Sequence, residues 1–174
     1  LVVKLTARPL GGTLAAFLSI ALAFIIRPLG AIIFGHIGDR IGRRKTLIVT
    51  VTLMGVATGL IGILPTYDQA GWFGAAILVV LRLLQGISLG GEWGGAVLVA
   101  TEHESPAKRA FAAAMPQLGS PIGSILSASA FIWLTLALTS EEIVAWAWRL
   151  PFLSAIPLLL VSLWLRSTIE ETPV

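Results

Sequence analysis

Residues 35–45 read GHIGDRIGRRK and separate two long apolar runs. The stretch holds one acid and four cations: Asp39, Arg40, Arg43, Arg44 and Lys45. An excess of arginine and lysine between hydrophobic runs is typical of a cytoplasmic loop in a membrane protein, because positive charge near the span ends sets their orientation. Residues 38–45 are therefore predicted to be a cytoplasmic loop that joins two transmembrane helices.

The composition indicates a protein built for lipid. Hydrophobic residues make up 56% of the 174 residues and charged residues 12%, whereas a soluble domain has about 25% charged residues. The net charge of +3 is confined to connecting segments, which argues against a nucleic-acid-binding face. The chain has no cysteine, so disulfides and thiol-bound metals are excluded. No metal or other cofactor is predicted.

A helix needs about 20 mainly apolar residues to cross a bilayer. Five segments meet this requirement, which predicts an all-α membrane protein with spans at approximately 13–37, 46–64, 72–101, 111–138 and 143–165. The cations cluster in alternate connections, so residues 38–45, 102–109 and the C-terminus are predicted to be cytoplasmic. Five spans then place the N-terminus outside, as expected if a first helix is missing.

The third span carries polar residues within the sequence RLLQGISLGGEWGG, residues 82–95. Ionisable residues inside a membrane are costly and are functional candidates by default. At about 100° per residue, Gln85 and Glu92 share a face and Arg82 lies about 80° from Glu92. Glycines at positions 86, 90 and 94 form a different face, suited to close helix packing. Two interpretations remain open: a buried structural ion pair between Arg82 and Glu92 or other helices, or polar groups that handle substrate and protons.

The fourth span contains PQLGSPIG, residues 116–123. Pro116 and Pro121 are predicted to break this helix, and Gln117 is the best candidate for a polar lining group. The alternative is a packing kink in which Gly119 and Gly123 contact a neighbouring helix.

These motifs resemble those of the major facilitator superfamily. The pattern Gly-x-x-x-Asp-Arg-x-Gly-Arg-Arg-Lys at residues 35–45 is similar to the loop between the superfamily's second and third helices. Arg-x-x-Gln-Gly at residues 82–86 resembles its fourth-helix signature. The strings GGEWGG at 90–95 and RPLGA at 27–31 narrow the resemblance to the metabolite:proton symporter family, which includes transporters similar to those for shikimate, α-ketoglutarate, citrate, and proline or betaine.

The resemblance implies a fold and a function. The chain would be helices two to six of a twelve-helix transporter, lacking the first helix and the C-terminal half. The implied activity is proton-driven uptake of a small metabolite, such as an organic acid or zwitterion, by alternating access in a bacterial inner membrane. No enzymatic activity is implied. The partners would be substrate, protons, lipid and the C-terminal half of the same protein.

Two groups of candidate residues follow, the first from position inside the spans and the second from the resemblance. The candidates for substrate or proton handling are Arg82, Gln85, Glu92 and Gln117. The candidates for a charge network that braces the helix ends and breaks on inward opening are Gly35, Asp39, Arg40, Gly42, Arg43, Arg44, Glu102 and Arg109. Two alternatives remain: a small helical scaffold or assembly subunit, and a uniporter or antiporter of the same fold.

Overall fold

The computed structural model describes residues 9–102 and 105–167, and within these ranges it is helical without strands. The all-α prediction is confirmed. The helices are α1 (Pro9–Ile25), α2 (Arg27–Ile41), α3 (Arg43–Ile63), α4 (Tyr67–Ala70), α5 (Trp72–Glu102), α6 (Arg109–Ala137), α7 (Ser140–Ala145), α8 (Leu150–Leu153) and α9 (Ala155–Ser167). A 3-10 turn, Ala147–Arg149, joins α7 to α8.

Five segments of the described chain are long and apolar enough to cross a membrane, as predicted. They are Ala16–Ile41, Arg43–Ile63, Trp72–Thr101, Arg109–Ala137 and Ala147–Leu165. The first span combines α1 and α2, and the last combines the 3-10 turn with α8 and α9. Pro28 lacks an N–H group and therefore interrupts the helical ladder in the first span. The chain nevertheless stays helical there, because Ile26 keeps α-helical angles (φ −77°, ψ −14°).

The predicted loop at residues 38–45 is wrong in its extent. Helix α2 continues to Ile41 and α3 begins at Arg43, so the connection is Gly42 alone. Gly42 has φ +94°, a region that glycine enters without the steric cost of a Cβ. Its N–H donates to the Gly38 carbonyl over 3.1 Å, and its carbonyl accepts from the Thr46 N–H over 3.2 Å. The charged motif is therefore two helix ends joined by one glycine.

Helix α5 is central, since it packs against α1, α2, α3 and α6. Helices α3 and α5 share a buried apolar cluster near the C-terminal end of α3. Its members are Ala57, Ile61, Leu64 and Leu81. The far side of α3 packs against α8 and α9 through glycines: a Cβ at Gly59 would lie 2.8 Å from a side-chain carbon of Ile156. Small residues thus bring α3 close to the last span.

Arg149 ties the last span to the end of α3. Its Nη2 donates to the Leu64 carbonyl over 3.2 Å, and its Nη1 donates to the Ala145 carbonyl over 3.3 Å. The guanidinium also lies 4.7 Å from the ring centroid of Trp148, within the range of a cation–π contact. The side chain thereby satisfies a carbonyl that follows the last turn of α3.

Helix α6 corrects a second prediction. It runs unbroken from Arg109 to Ala137 with Pro116 and Pro121 inside it. Each proline removes one backbone donor, and a membrane helix tolerates this loss where other groups compensate. Added Cβ atoms at Gly119 and Gly123 would meet no described atom within 4 Å. Their predicted contact with a neighbouring helix is therefore absent from the part of the chain that the structure describes.

Candidate functional site

A chain of hydrogen bonds links Arg82 to α3. Arg82 Nη1 donates to Gln85 Oε1 over 3.2 Å, and Gln85 Nε2 donates to Thr58 Oγ1 over 2.6 Å. Thr58 in turn donates to the Met54 carbonyl, one helical turn earlier, over 2.7 Å. All three side chains are half-buried within membrane spans. A guanidinium has five N–H donors, so Arg82 keeps donors for a further acceptor.

Glu92 lies apart from Arg82. The two residues are ten positions apart on α5, which corresponds to about 15 Å along a helix axis. This separation rules out the Arg82–Glu92 ion pair that the sequence left open. Glu92 is half-buried and lies on the side of α5 that carries Gln85 and the fully buried Ser88. Because Gln85 bonds to α3, this side of α5 faces α3.

The glycines of α5 bring it against the first span. A Cβ added to Gly86 would overlap the carbonyl of Ala23, and one added to Gly90 would overlap the carbonyl of Arg27. These contacts agree with the predicted packing face. Gly94 differs, because a Cβ there would meet no described atom within 4 Å. The packing face therefore ends before Gly94.

Trp93 and Gln117 connect α5 to α6. The indole Nε1 of Trp93 donates to Gln117 Oε1 over 3.3 Å. Trp93 is 60% exposed and Gln117 is also exposed among the described residues. Helical geometry places Trp93 about 20° from Arg82 around α5, and about 16 Å from it along the axis. The two side chains thus share a face at different depths.

A cavity of about 210 Å³ lies between the α2–α3 connection and α5. Its walls come from both sequence motifs, and its lining includes Gly35, Asp39, Arg43, Gly91 and Gly94. A Cβ at Gly35 or Gly94 would meet no described atom within 4 Å. These two glycines therefore leave open space next to a carboxylate and a guanidinium.

The remaining members of the predicted charge network lie at helix ends. Arg40 is in the last turn of α2, Arg44 is in the first turn of α3, and Arg109 begins α6. Glu102 ends α5, and its side chain lies outside the described part of the molecule. No cluster of three His, Asp or Glu residues that could hold a metal occurs within the described ranges.

The structure thus divides the four candidates for substrate or proton handling into three groups. Arg82 and Gln85 are hydrogen-bonded, Glu92 lies towards α3, and Gln117 belongs with Trp93. Sequence reasoning missed Thr58 and Trp93. The signal for Trp93 was present, since an indole N–H inside a span needs an acceptor. Thr58 gave no signal, because helical threonines commonly bond only to their own backbone.

Comparison with known proteins assigns the family. Residues 9–174 match the model of the family described as Sugar (and other) transporter. The chain is 46% identical over 164 residues to the shikimate transporter of Escherichia coli K12, covering 94% of this chain and 37% of that protein. It is 38% identical over 160 residues to OusA of Dickeya dadantii, a glycine betaine/proline/ectoine/pipecolic acid transporter, covering 92% of this chain and 32% of OusA.

A solved structure agrees with the fold. The inward-open conformation of the xylose transporter XylE from E. coli superimposes with a TM-score of 0.79 and 20% sequence identity, over 90% of this chain and 37% of XylE. The chain thus spans about a third of the length of the relatives it matches. These relatives are transporters and not enzymes. The chain belongs to the sugar (and other) transporter family and has the fold of the major facilitator superfamily.

Proposed function

We propose that the protein to which this chain belongs is a proton symporter that takes up a small carboxylate-bearing metabolite. Arg82 carries this proposal, because it is a half-buried cation within a span and one of its N–H groups is held by Gln85. A guanidinium presents a planar fork of donors that matches a carboxylate. The substrates in the names of both relatives, shikimate and the betaine group, all carry a carboxylate.

The contact between Trp93 and Gln117 suits a second substrate-binding position. It lies about 16 Å from Arg82 along α5, too far for a small metabolite to contact both at once. Gln117 offers an amide group and Trp93 an aromatic face at the junction of α5 and α6. Hydroxyl groups would bond to the amide, and a quaternary ammonium would favour the indole face. We therefore assign these two side chains to selection among carboxylates along the transport path, before or after binding at Arg82.

Glu92 is the candidate proton-binding group. It is a half-buried acid within a span, and ionisable groups at such positions are functional candidates by default. Its two protonation states would favour different arrangements of the surrounding helices. Gln85 is excluded from this role because its amide does not titrate.

We assign the α2–α3 connection to conformational gating. Gly35, Asp39, Arg40, Gly42, Arg43, Arg44, Glu102 and Arg109 form the proposed network. The cavity beside Asp39 and Arg43 would accept groups from the C-terminal half in one state and release them in the other. Such rocking of two halves about a central site is alternating access. The cation-rich connections would be cytoplasmic in a bacterial inner membrane.

The test uses the complete transporter in proteoliposomes. An inward proton gradient should drive accumulation of radiolabelled shikimate or glycine betaine, and a protonophore should abolish it. Xylitol, a neutral polyol, serves as the control and should not accumulate. Equilibration without accumulation would identify a uniporter, and dependence on a counter-substrate would identify an antiporter. Absence of both binding and flux would contradict the proposed function.

Glu92→Gln tests the proton-binding role. The amide mimics the protonated carboxyl group and keeps its size. Proton-driven accumulation should fall by at least tenfold, while exchange of labelled for unlabelled substrate continues. Gln85→Glu, a second change between an acid and an amide on the same face of α5, should instead weaken substrate binding, because the new carboxylate would neutralise Arg82. Unchanged accumulation in Glu92→Gln would remove Glu92 from the proton pathway.

A further inference from the structure

We infer that Thr58 is a positioning residue: it fixes the side-chain amide of Gln85, which in turn aims the Arg82 guanidinium at the substrate carboxylate. The effect on substrate binding rests on the proposed function, but the hydrogen bonds themselves do not depend on any substrate. Thr58 lies on α3, and nothing in its sequence neighbourhood distinguishes it from Thr50 or Thr52.

The direction of each hydrogen bond follows from counting protons. A threonine hydroxyl has one hydrogen, and Thr58 uses it on the Met54 carbonyl at 2.7 Å. Towards Gln85, the hydroxyl oxygen is therefore an acceptor. The group that faces it at 2.6 Å must be the Gln85 –NH₂, which turns the Gln85 carbonyl oxygen towards Arg82.

These hydrogen bonds determine the orientation of the Gln85 side-chain amide, which its shape alone does not determine. The oxygen and nitrogen of a glutamine amide have nearly the same size, so only hydrogen-bond partners fix which way the amide points. If the amide were flipped, its –NH₂ would face the guanidinium. Two donors would then oppose each other in a half-buried position. The guanidinium disfavours this arrangement because it has donors only, and Thr58 adds to the preference by accepting from the Gln85 –NH₂.

Gln85 itself is poorly placed to bind substrate. Its carbonyl oxygen and its amide nitrogen both have partners within the protein, on α5 and α3 respectively. Among the described residues, Arg82 donates to Gln85 through Nη1. Its other N–H groups can donate to a carboxylate. The three side chains therefore act in sequence: Thr58 orients Gln85, Gln85 orients Arg82, and Arg82 binds.

Thr58→Val in the complete transporter removes the hydroxyl while keeping the side-chain shape. We expect the KM for shikimate or glycine betaine to rise about tenfold, equivalent to about 1.4 kcal/mol, because the Arg82 guanidinium is no longer held in its binding orientation. The maximal rate should change less than twofold. Thr58→Ser keeps the hydroxyl and should restore the wild-type KM.

Thr52→Val is the matched control. Thr52 lies six residues before Thr58 on α3 and likewise donates to the carbonyl four residues earlier, that of Ile48, over 2.7 Å. Its change should leave the KM within twofold of wild type. An equal rise in KM for Thr52→Val and Thr58→Val would overturn the inference, since it would indicate a general effect on α3.

Action through Arg82 needs a separate measurement. In an Arg82→Lys background the forked guanidinium is gone, so Thr58→Val should no longer alter the substrate Kd measured by equilibrium binding. A full tenfold effect in that background would show that Thr58 acts by another route.

A spectroscopic measurement keeps the inference testable if neither substrate is transported. The ¹⁵N–¹H guanidinium resonances of Arg82 and the side-chain amide resonances of Gln85 should shift in Thr58→Val and not in Thr52→Val or Thr58→Ser. Unmoved Arg82 resonances would overturn the inference whatever the substrate is. Shifted resonances without any carboxylate transport would leave the positioning intact and contradict the proposed function instead.

Discussion

At the scale of single residues, Gly90 leaves no room for a side chain. A Cβ at this position would overlap the backbone carbonyl of Arg27, an atom that cannot move without shifting α2. We expect Gly90→Ala to destabilise the protein by about 1–3 kcal/mol, the usual cost of forcing extra volume into a packed interface. Thermal unfolding of the purified protein in detergent measures this change as a lower midpoint temperature.

Gly94 provides the control on the same helix. One turn further along α5, an added Cβ would meet no described atom within 4 Å, so Gly94→Ala should not lower the midpoint temperature. It should raise the midpoint slightly, because alanine has the better helix propensity. Equal destabilisation by both changes would mean that the α2–α5 packing is not what distinguishes Gly90.

At the scale of elements, a capping box begins α7. The Glu142 N–H donates to Thr139 Oγ1 over 3.4 Å, and Glu142 Oε2 accepts from the Thr139 N–H over 2.9 Å. The backbone N–H and the hydroxyl of Thr139 hold the pKa of the Glu142 carboxyl below its usual value. This short helix therefore depends on an ionised, exposed acid for the start of its first turn.

The sign of the pH dependence follows from the lowered pKa. The ionised carboxylate stabilises α7 above the pKa of the unfolded chain, about 4.3, and this contribution is lost as the pH falls through the lower folded-state pKa. In an NMR titration of the protein in nanodiscs, the Thr139 amide resonance should move across that acidic range. Glu142→Gln should remove the transition, and an unaltered transition would assign it to another acid.

The sequence predicted the helical spans well and their ends poorly. Length and hydropathy decide whether a segment can cross a bilayer, so all five spans were found. A charged stretch can be a loop or two adjoining helix ends. Here the positive φ of Gly42 lets the two helices adjoin. Pro116 and Pro121 led to a predicted break that is absent from α6, because a helix can continue past a missing backbone donor.

The candidate site was predictable only in part, for a geometric reason. Helical geometry gave the angle of about 80° between Arg82 and Glu92 around α5, but it could not reveal what each side of α5 meets. The contact between Gln85 and Thr58 joins residues 27 positions apart, and that between Trp93 and Gln117 joins residues 24 apart. Such pairs depend on the register of two helices, which no local pattern specifies.

At the scale of the whole molecule, the distribution of cations predicts an orientation in the membrane. The chain has no cysteine, so single cysteines introduced into the complete transporter, after removal of any cysteines elsewhere in it, report one site each. Lys108 and Gln69 are both exposed and lie in different connections. An impermeant thiol reagent on intact cells should label Gln69→Cys and not Lys108→Cys until the membrane is permeabilised. The reverse pattern would contradict the orientation.

Some charges at the α2–α3 connection oppose the helix dipoles. Asp39 lies in the last turn of α2, where a negative charge is unfavourable, although Arg40 in the same turn is favourable. Arg43 and Arg44 lie in the first turn of α3, where a positive charge is unfavourable. Each such charge typically costs 0.3–1 kcal/mol at an exposed helix end. Helix stability therefore does not explain these residues, which favours a role in contacts that differ between transport states.

Asp39→Asn tests that role in the complete transporter. Removing the charge relieves the α2 dipole, so the midpoint of thermal unfolding should stay the same or rise slightly. Substrate Kd should also be unchanged, because Asp39 lines a cavity with Gly94, which is about 18 Å along α5 from Arg82. The maximal transport rate should fall by about tenfold, a loss of roughly 1.4 kcal/mol in the balance between states. A weaker Kd with a normal maximal rate would instead place Asp39 in substrate binding and leave the gating network without its acid.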